Sequence, residues 1–204
     1  NAFLFNQSTN PTIPANGGGM IIMGAPDVDP TCGATTDQDC TPDPTTIGPS
    51  DGTGPGLVIN ANLIMGNAAE SGSGGGIQLQ AINGSDVVSF PTSSNRWNSV
   101  TLTNNIIANN VAGWDGAGVA LLDALNVNII NNTIASNDST ASSGVLFDTI
   151  GAPLASSGGK NCTTSTTTSC PQVAGLVSIP NSTVLTANIK SLNVICPAGH
   201  FAGF

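Results

Sequence analysis

A glycosidase needs two or three carboxylates converging on one sugar, one to protonate the leaving oxygen and another to attack or to activate water. The acids placed for such work in this sequence are Asp115, Asp123 and Asp148. Each lies close to a short, glycine-led apolar run, and Trp114 precedes Asp115 directly. If Trp114, Asp115 and Asp123 share a face, the indole forms a platform for a sugar ring and the two acids flank it. That is the sharpest chemical option in the chain. The competing role for Asp115 is structural, because it precedes Gly116 and an Asp before a glycine corner often caps its own turn.

A second concentration of acid falls at Asp27, Asp29, Asp37, Asp39 and Asp43. Its D-x-D spacing suits calcium, which prefers many oxygen ligands, and the first four of these residues are the candidate ligands. The EF-hand pattern is absent, and a solvated acidic loop that aids solubility is the alternative. Calcium is the only cofactor the sequence brings into view. Cys196 to His200 reads CPAGH and lacks the second cysteine that haem attachment requires. The run Thr163 to Ser169 is rich enough in hydroxyls for O-glycosylation, or for a plain polar loop.

The five cysteines include two pairs with the same offset, Cys32 with Cys40 and Cys162 with Cys170, each enclosing a polar loop. Equal offsets in two unrelated loops predict two local disulfides, and therefore an oxidising, extracellular or cell-surface location. A zinc site fits less well, since neither pair has the short gap or the histidine partners of one. Cys196 is left without a mate.

Composition then excludes several classes. Only 7% of the 204 residues are charged, 4% are aromatic and none is Tyr, while 39% are hydrophobic. The net charge of -9 reflects a near absence of bases, which are Arg96, Lys160 and Lys190 alone. Nucleic-acid binding through counterion release is excluded on that ground. No apolar run is long enough to cross a bilayer, and no leader opens the chain, so an export signal is expected upstream of Asn1. Disorder is not expected either, because it couples low hydrophobicity to high net charge.

What must position any site is a repeat. Three windows align without gaps: Leu57 to Asn67, Val100 to Asn110 and Val127 to Asn137. Each carries apolar residues at Leu57/Val100/Val127 and Ile59/Leu102/Ile129, Asn at Asn62/Asn105/Asn132, an aliphatic at Ile64/Ile107/Ile134 and Asn again at Asn67/Asn110/Asn137. Glycine-led strands are expected downstream at Gly76 to Leu79, Gly118 to Leu121 and Gly144 to Phe147, and where the template weakens after Phe147 further strands are expected at Leu176 to Ile179 and Val184 to Ile189. The apolar period is that of strands. Short strands parted by Asn and Gly corners, recurring at solenoid spacing, predict stacked coils about 4.8 Å apart with equivalent residues above one another. Asn suits such corners because it tolerates left-handed backbone angles and can bond its amide to the Asn of the next coil. Stacked charges would repel at every rung.

The motifs NNIIANN, NNTIASN and GGGI resemble the right-handed parallel β-helix repeat family, the pectate-lyase-like superfamily, over roughly residues 1–150. GGGI and NxIxxN are also similar to repeats of polymorphic outer-membrane and autotransporter-passenger proteins. The resemblance implies an all-β, right-handed parallel β-helix, one segment over 1–204 with insertions at 25–55, 81–97 and 155–172. A lyase of that superfamily would need a base beside a uronate and acids holding calcium; Arg96, the only Arg, sits in an insertion with no acidic cluster beside it in sequence, and reads as a solvated loop residue. The fold hosts enzymes, adhesins and structural shafts alike. The function expected is an extracellular or cell-surface structural or adhesive segment, with no catalytic residue assigned; the alternative is a carbohydrate-binding or carbohydrate-active protein.

The template also begins at once, with Asn1, Phe3 and Asn6 on the Asn, apolar, Asn spacing and Gly19-Met20 as a glycine-led strand. No charged residue precedes Asp27, so neither end offers a polar cap. Open coil ends invite edge pairing. Further coils or other subunits are therefore expected to cover Phe3 and Phe5, with polysaccharide as a further possible partner.

Overall fold

The computed structural model describes residues 1–10, 15–24, 56–83, 90, 92–93, 97–140 and 173–179. Among them the only regular elements are strands, in four successive sets. The first set is β1 (Ala2–Leu4), β2 (Gln7–Ser8) and β3 (Met20–Met23). The second is β4 (Leu57–Asn60), β5 (Leu63–Met65), β6 (Ala68–Ala69) and β7 (Ile77–Ile82). The third is β8 (Val100–Thr103), β9 (Ile106–Ala108), β10 (Val111–Ala112) and β11 (Val119–Ala124). The fourth is β12 (Val127–Ile130), β13 (Thr133–Ala135), β14 (Asp138–Ser139) and β15 (Leu176–Ile179).

Like pairs with like from set to set. The sheets run β1-β5-β9-β13, β2-β6-β10-β14, β3-β7-β11-β15 and β4-β8-β12, and all the described pairings are parallel. Four short strands per turn, each bonded to its counterpart one turn away, are consistent with a parallel β-helix. No described helix is long and apolar enough to cross a membrane.

Alternation along each strand builds the core. Ile59 stands in register with Leu102 and Ile129, and Ile64 with Phe3, Ile107 and Ile134. Ile77 faces Met20, Val119 and Leu176. These columns form one apolar cluster, in which Ile64, Ile77, Leu79, Ile82, Val100, Leu102, Ile107 and Val119 have no exposed surface. Each such Ile, Leu or Val stabilises by about 1.5–3 kcal/mol relative to leaving it in water.

Corners repeat as faithfully as strands. Ala61, Asn104 and Asn131 share a column of positive φ at 54°, 55° and 59°, and Phe5, Gly66, Asn109 and Ser136 share another. Asn and Gly hold this conformation with least strain. Phe5 is 75% exposed, its ring laid against Gly66, where any Cβ would collide with it. Phe3 is half-buried against the core.

Two expectations shift. Ala81 and Ile82 belong to β7, so the insertion expected at 81–97 opens only after Asn83, and Trp97 at its other end is buried. The expected strand Gly144 to Phe147 lies outside the described residues, and the place beside β11 belongs to Gly175 and β15. Its glycine does the work foreseen, since Val119 donates to the Gly175 carbonyl at 3.0 Å. The insertions at 25–55 and 155–172, with Cys32, Cys40, Cys162 and Cys170, lie outside the described residues, as does Cys196.

Candidate functional site

Polar side chains gather in two places. The first is the pair of Asn columns. Asn62 donates from its backbone N–H and its Nδ2 to Asn105 Oδ1 at 3.0 and 2.9 Å, and Asn105 donates likewise to Asn132 Oδ1 at 2.9 Å from both groups. Asn1 Nδ2 reaches Asn62 Oδ1 at 3.2 Å. The second column runs Asn6, Asn67, Asn110, Asn137 with the same double bonds. Five of these Asn side chains also donate to a backbone carbonyl one turn back: Asn67 to Phe3, Asn105 to Ile59, Asn110 to Ile64, Asn132 to Leu102 and Asn137 to Ile107. Burial without loss of hydrogen bonds follows from this two-way geometry.

The second place is the glycine-rich connection before β7 and β11. Residues 71–76 and 113–118 stack on one another through Gly74 N–H to Asp115 O at 3.2 Å, Trp114 N–H to Gly72 O at 2.9 Å and Gly76 N–H to Ala117 O at 2.7 Å. Gly74 and Gly116 have φ of 73° and 54°. A Cβ on either would meet the Cβ of Gln78 or Ala120 at 2.8 or 2.7 Å. Ile77, Leu79 and Val119 point into the core, so the alternating Gln78 and Ala120 point outward. The connection therefore folds over the outer face of β7 and β11 as a strap, and Gln78 and Ala120 beneath it are 1% and 0% exposed.

Asp115 sits in this strap at 6% exposure, accepting a hydrogen bond from Ser73 Oγ. Burial pushes its carboxyl above the ordinary aspartate range, opposed by the Ser73 hydroxyl and by its own backbone amide. Asn16 continues the column, its Oδ1 accepting from Ser73 N–H at 2.8 Å. Gln78 has no hydrogen-bond partner at either amide atom, and neither does Asn83 Oδ1, although Asn83 Nδ2 donates to the Leu125 carbonyl at 2.8 Å.

The proposed sugar platform is not assembled. Trp114 is 3% exposed, with its carbonyl accepting from Ser139 Oγ, so its ring offers no open face. Asp123 is half-buried near the far end of β11, and the backbone from Val119 to Asp123 alone spans about 13 Å at strand rise. Its φ of 53° is matched by Ala81 at 53°, the residue in register one turn away. Ala81 has no chemistry to offer, so the strain at Asp123 belongs to the bend of the coil. Asp148, Arg96 and the calcium candidates Asp27, Asp29, Asp37 and Asp39 lie outside the described residues. Among the described residues no group of three His, Cys, Asp or Glu is placed to hold a metal.

Sequence reasoning missed Gln78 and Ser73. A Gln in an alternating strand reads as solvent-facing, and nothing local announces that a strap will cover it. The repeated G-x-G glycines were the one available signal. Comparison of the chain with protein-family models, curated proteins and solved structures found no match.

Proposed function

We propose that this chain is a stretch of an extracellular or cell-surface right-handed parallel β-helix, of the kind found in the pectate-lyase-like superfamily and in autotransporter passengers, acting as a structural or adhesive element. The observation that carries this reading is the pair of uninterrupted Asn columns through all four turns. They commit the side chains of these Asn residues to joining one coil to the next. An element built this way transmits load along its axis and holds its outer surface in fixed register, which is what a shaft or an adhesive stalk requires. The near absence of bases and the paired cysteines Cys32/Cys40 and Cys162/Cys170 support an exported setting. Burial of Trp114 weighs against carbohydrate chemistry at Asp115 and Asp123.

The test is to incubate the purified chain with a panel of neutral and acidic polysaccharides, following new reducing ends and unsaturated products, and in parallel to measure its retention on cell and polymer surfaces. Retention without turnover is expected. Turnover that is abolished by Asp115→Asn or Asp123→Asn overturns the structural reading in favour of an enzyme.

A further inference from the structure

We propose that the first turn of this chain is a docking surface for the fourth turn of a second copy, so that copies stack head to tail along one axis. The inference deepens the structural reading, on which it rests, by naming what meets the ends of the shaft. Its test reads mass, so it can fail without disturbing the test for turnover.

The Asn columns have a direction. Within the two columns that begin at Asn1 and Asn6, every bond between side chains runs forward, from the amide of one turn to Oδ1 of the next. The first turn is therefore an acceptor end and the fourth a donor end. Among the described residues nothing donates to Oδ1 of Asn1 or Asn6, and the backbone N–H groups of Asn132 and Asn137 reach no acceptor. Asn132 turns its spare amide hydrogen back to the Ile130 carbonyl at 3.1 Å, where Asn62 and Asn105 reach forward instead.

A column of glycine marks the same end independently. A Cβ at Gly19, Gly76 or Gly118 would come within 2.7, 2.6 and 2.3 Å of the glycine carbonyl oxygen one turn further on. Gly175, whose carbonyl crowds Gly118, is the next in this column. Among the described residues the only atom near a Cβ at Gly175 is Ile134 Cγ2 at 4.0 Å, and its φ is not positive. Neither crowding nor backbone angle among these residues demands glycine there. A turn stacked on the fourth would demand it, and the first turn brings the matching carbonyl at Gly19.

Burial falls off at both ends. Phe3, Met20 and Ile22 in the first turn and Val127, Ile129 and Ile134 in the fourth are half-buried, whereas Ile64, Leu79, Leu102 and Ile107 between them have no exposed surface. Continuing the registers sets Phe3 of one copy on Ile134 of the other, and Met20 on Leu176. The position of Asp138 continues into Gln7, an amide able to donate to it, so no carboxylate stacks on another. The rows of β13, β14 and β15 run on into β1, β2 and β3, and β12 alone has no counterpart in the first set. Ends that differ in kind join heterologously, which builds an open filament and not a closed pair.

Each end can be blocked separately. Gly175→Val fills space that the described residues leave empty and collides with the carbonyl of a docked turn. At the other end, the Asn1 carbonyl and the Phe5 N–H bond to the second turn, so the alternation of a strand aims the Leu4 N–H away from it. Leu4→Pro removes a donor that the first turn does not use, and proline is tolerated on a sheet edge.

The full chain is followed by sedimentation and electron microscopy across a wide range of concentration. Linear particles whose mass grows with concentration are expected, with an axial repeat of about 4.8 Å. Each variant alone should stay monomeric with its strand circular dichroism intact. An equimolar mixture of the two should form a pair and stop there, because only one free end of each kind remains. The proposal is overturned by a parent chain that stays monomeric, by Gly175→Val assembling like the parent, or by a mixture that does not pair. It is equally overturned if Gly175→Val melts early with no change in mass, which would mean that another segment of the same chain covers the fourth turn. Should Leu4→Pro fail to fold, the Gly175→Val result decides alone.

Discussion

The two polar regions of this molecule bury similar groups to opposite effect. Along the Asn columns, every inner side chain both accepts and donates, and the sites read the same from turn to turn. Under the glycine strap, Asp115 is enclosed with a hydroxyl for company and Gln78 with nothing. Burial is therefore not what makes a polar residue stabilising in a stacked coil. What matters is whether its counterpart one turn away has complementary hydrogen-bonding capacity. Asn stacks on Asn because an amide carries both a donor and an acceptor; Gln78 stacks between Ile21 and Ala120, which carry neither on their side chains.

The contrast can be broken most severely at a close backbone approach within the strap. A Cβ at Gly75 would overlap the carbonyl oxygens of Val111 and Ala117, which are backbone and cannot swing aside. Gly75→Ala is expected to cost about 3 kcal/mol or more by forcing two turns apart. An unchanged denaturant midpoint would show that the turns are not stacked as closely as described.

Next comes the column itself. Asn105→Ala strands the buried N–H and Nδ2 of Asn62 and the Ile59 carbonyl, and should cost about 1–3 kcal/mol. Thermal melting checks it, and a melting temperature equal to that of the parent chain would mean the column contributes nothing.

The opposite sign is expected under the strap. Gln78→Met keeps the shape and removes two unbonded polar atoms, so it should stabilise by about 1 kcal/mol. Loss of stability on urea titration would instead reveal a partner for the amide, such as an internal water.

The smallest effect sharpens the comparison by moving one residue along the chain. Asn104, beside Asn105, also bonds its counterparts, accepting from Asn131 Nδ2 and donating to Asn60 Oδ1, both at 3.0 Å, but in solvent. Asn104→Gly keeps the positive φ and should change stability by no more than about 0.5 kcal/mol. If it matched Asn105→Ala in cost, burial would not be the distinguishing variable.

Much of this was legible beforehand because stacking forces repetition. Asn62, Asn105 and Asn132 could be aligned by eye, and the same spacing found Asn1 and Asn6 despite a long interruption. Repetition gave less where an insertion shifts a strand along the chain: Leu176 to Ile179 was expected as a strand, but its place beside β11 was not. Gly144 to Phe147 and Gly175 to Ser178 carry similar glycine-led apolar signals, and only the pairing with β11 distinguishes them. The candidate site fared worse, because Trp114 and Asp115 look like a sugar site in one dimension. Their enclosure depends on glycines at 72, 74 and 116 bringing two backbones together, a three-dimensional fact with no local mark.

The corner between the fourth strand of one turn and the first of the next has a consequence for what the chain can carry. Leu125 and Asn126 alone join β11 to β12, while residues 24–56 join β3 to β4, yet β4, β8 and β12 stay in the same register. Each turn is aligned by its neighbours above and below, not by the length of its connection. That makes this corner a graft point: foreign sequence placed between Asn126 and Val127 would be displayed at a fixed height along the axis, set by the number of turns beneath it, about 4.8 Å for each.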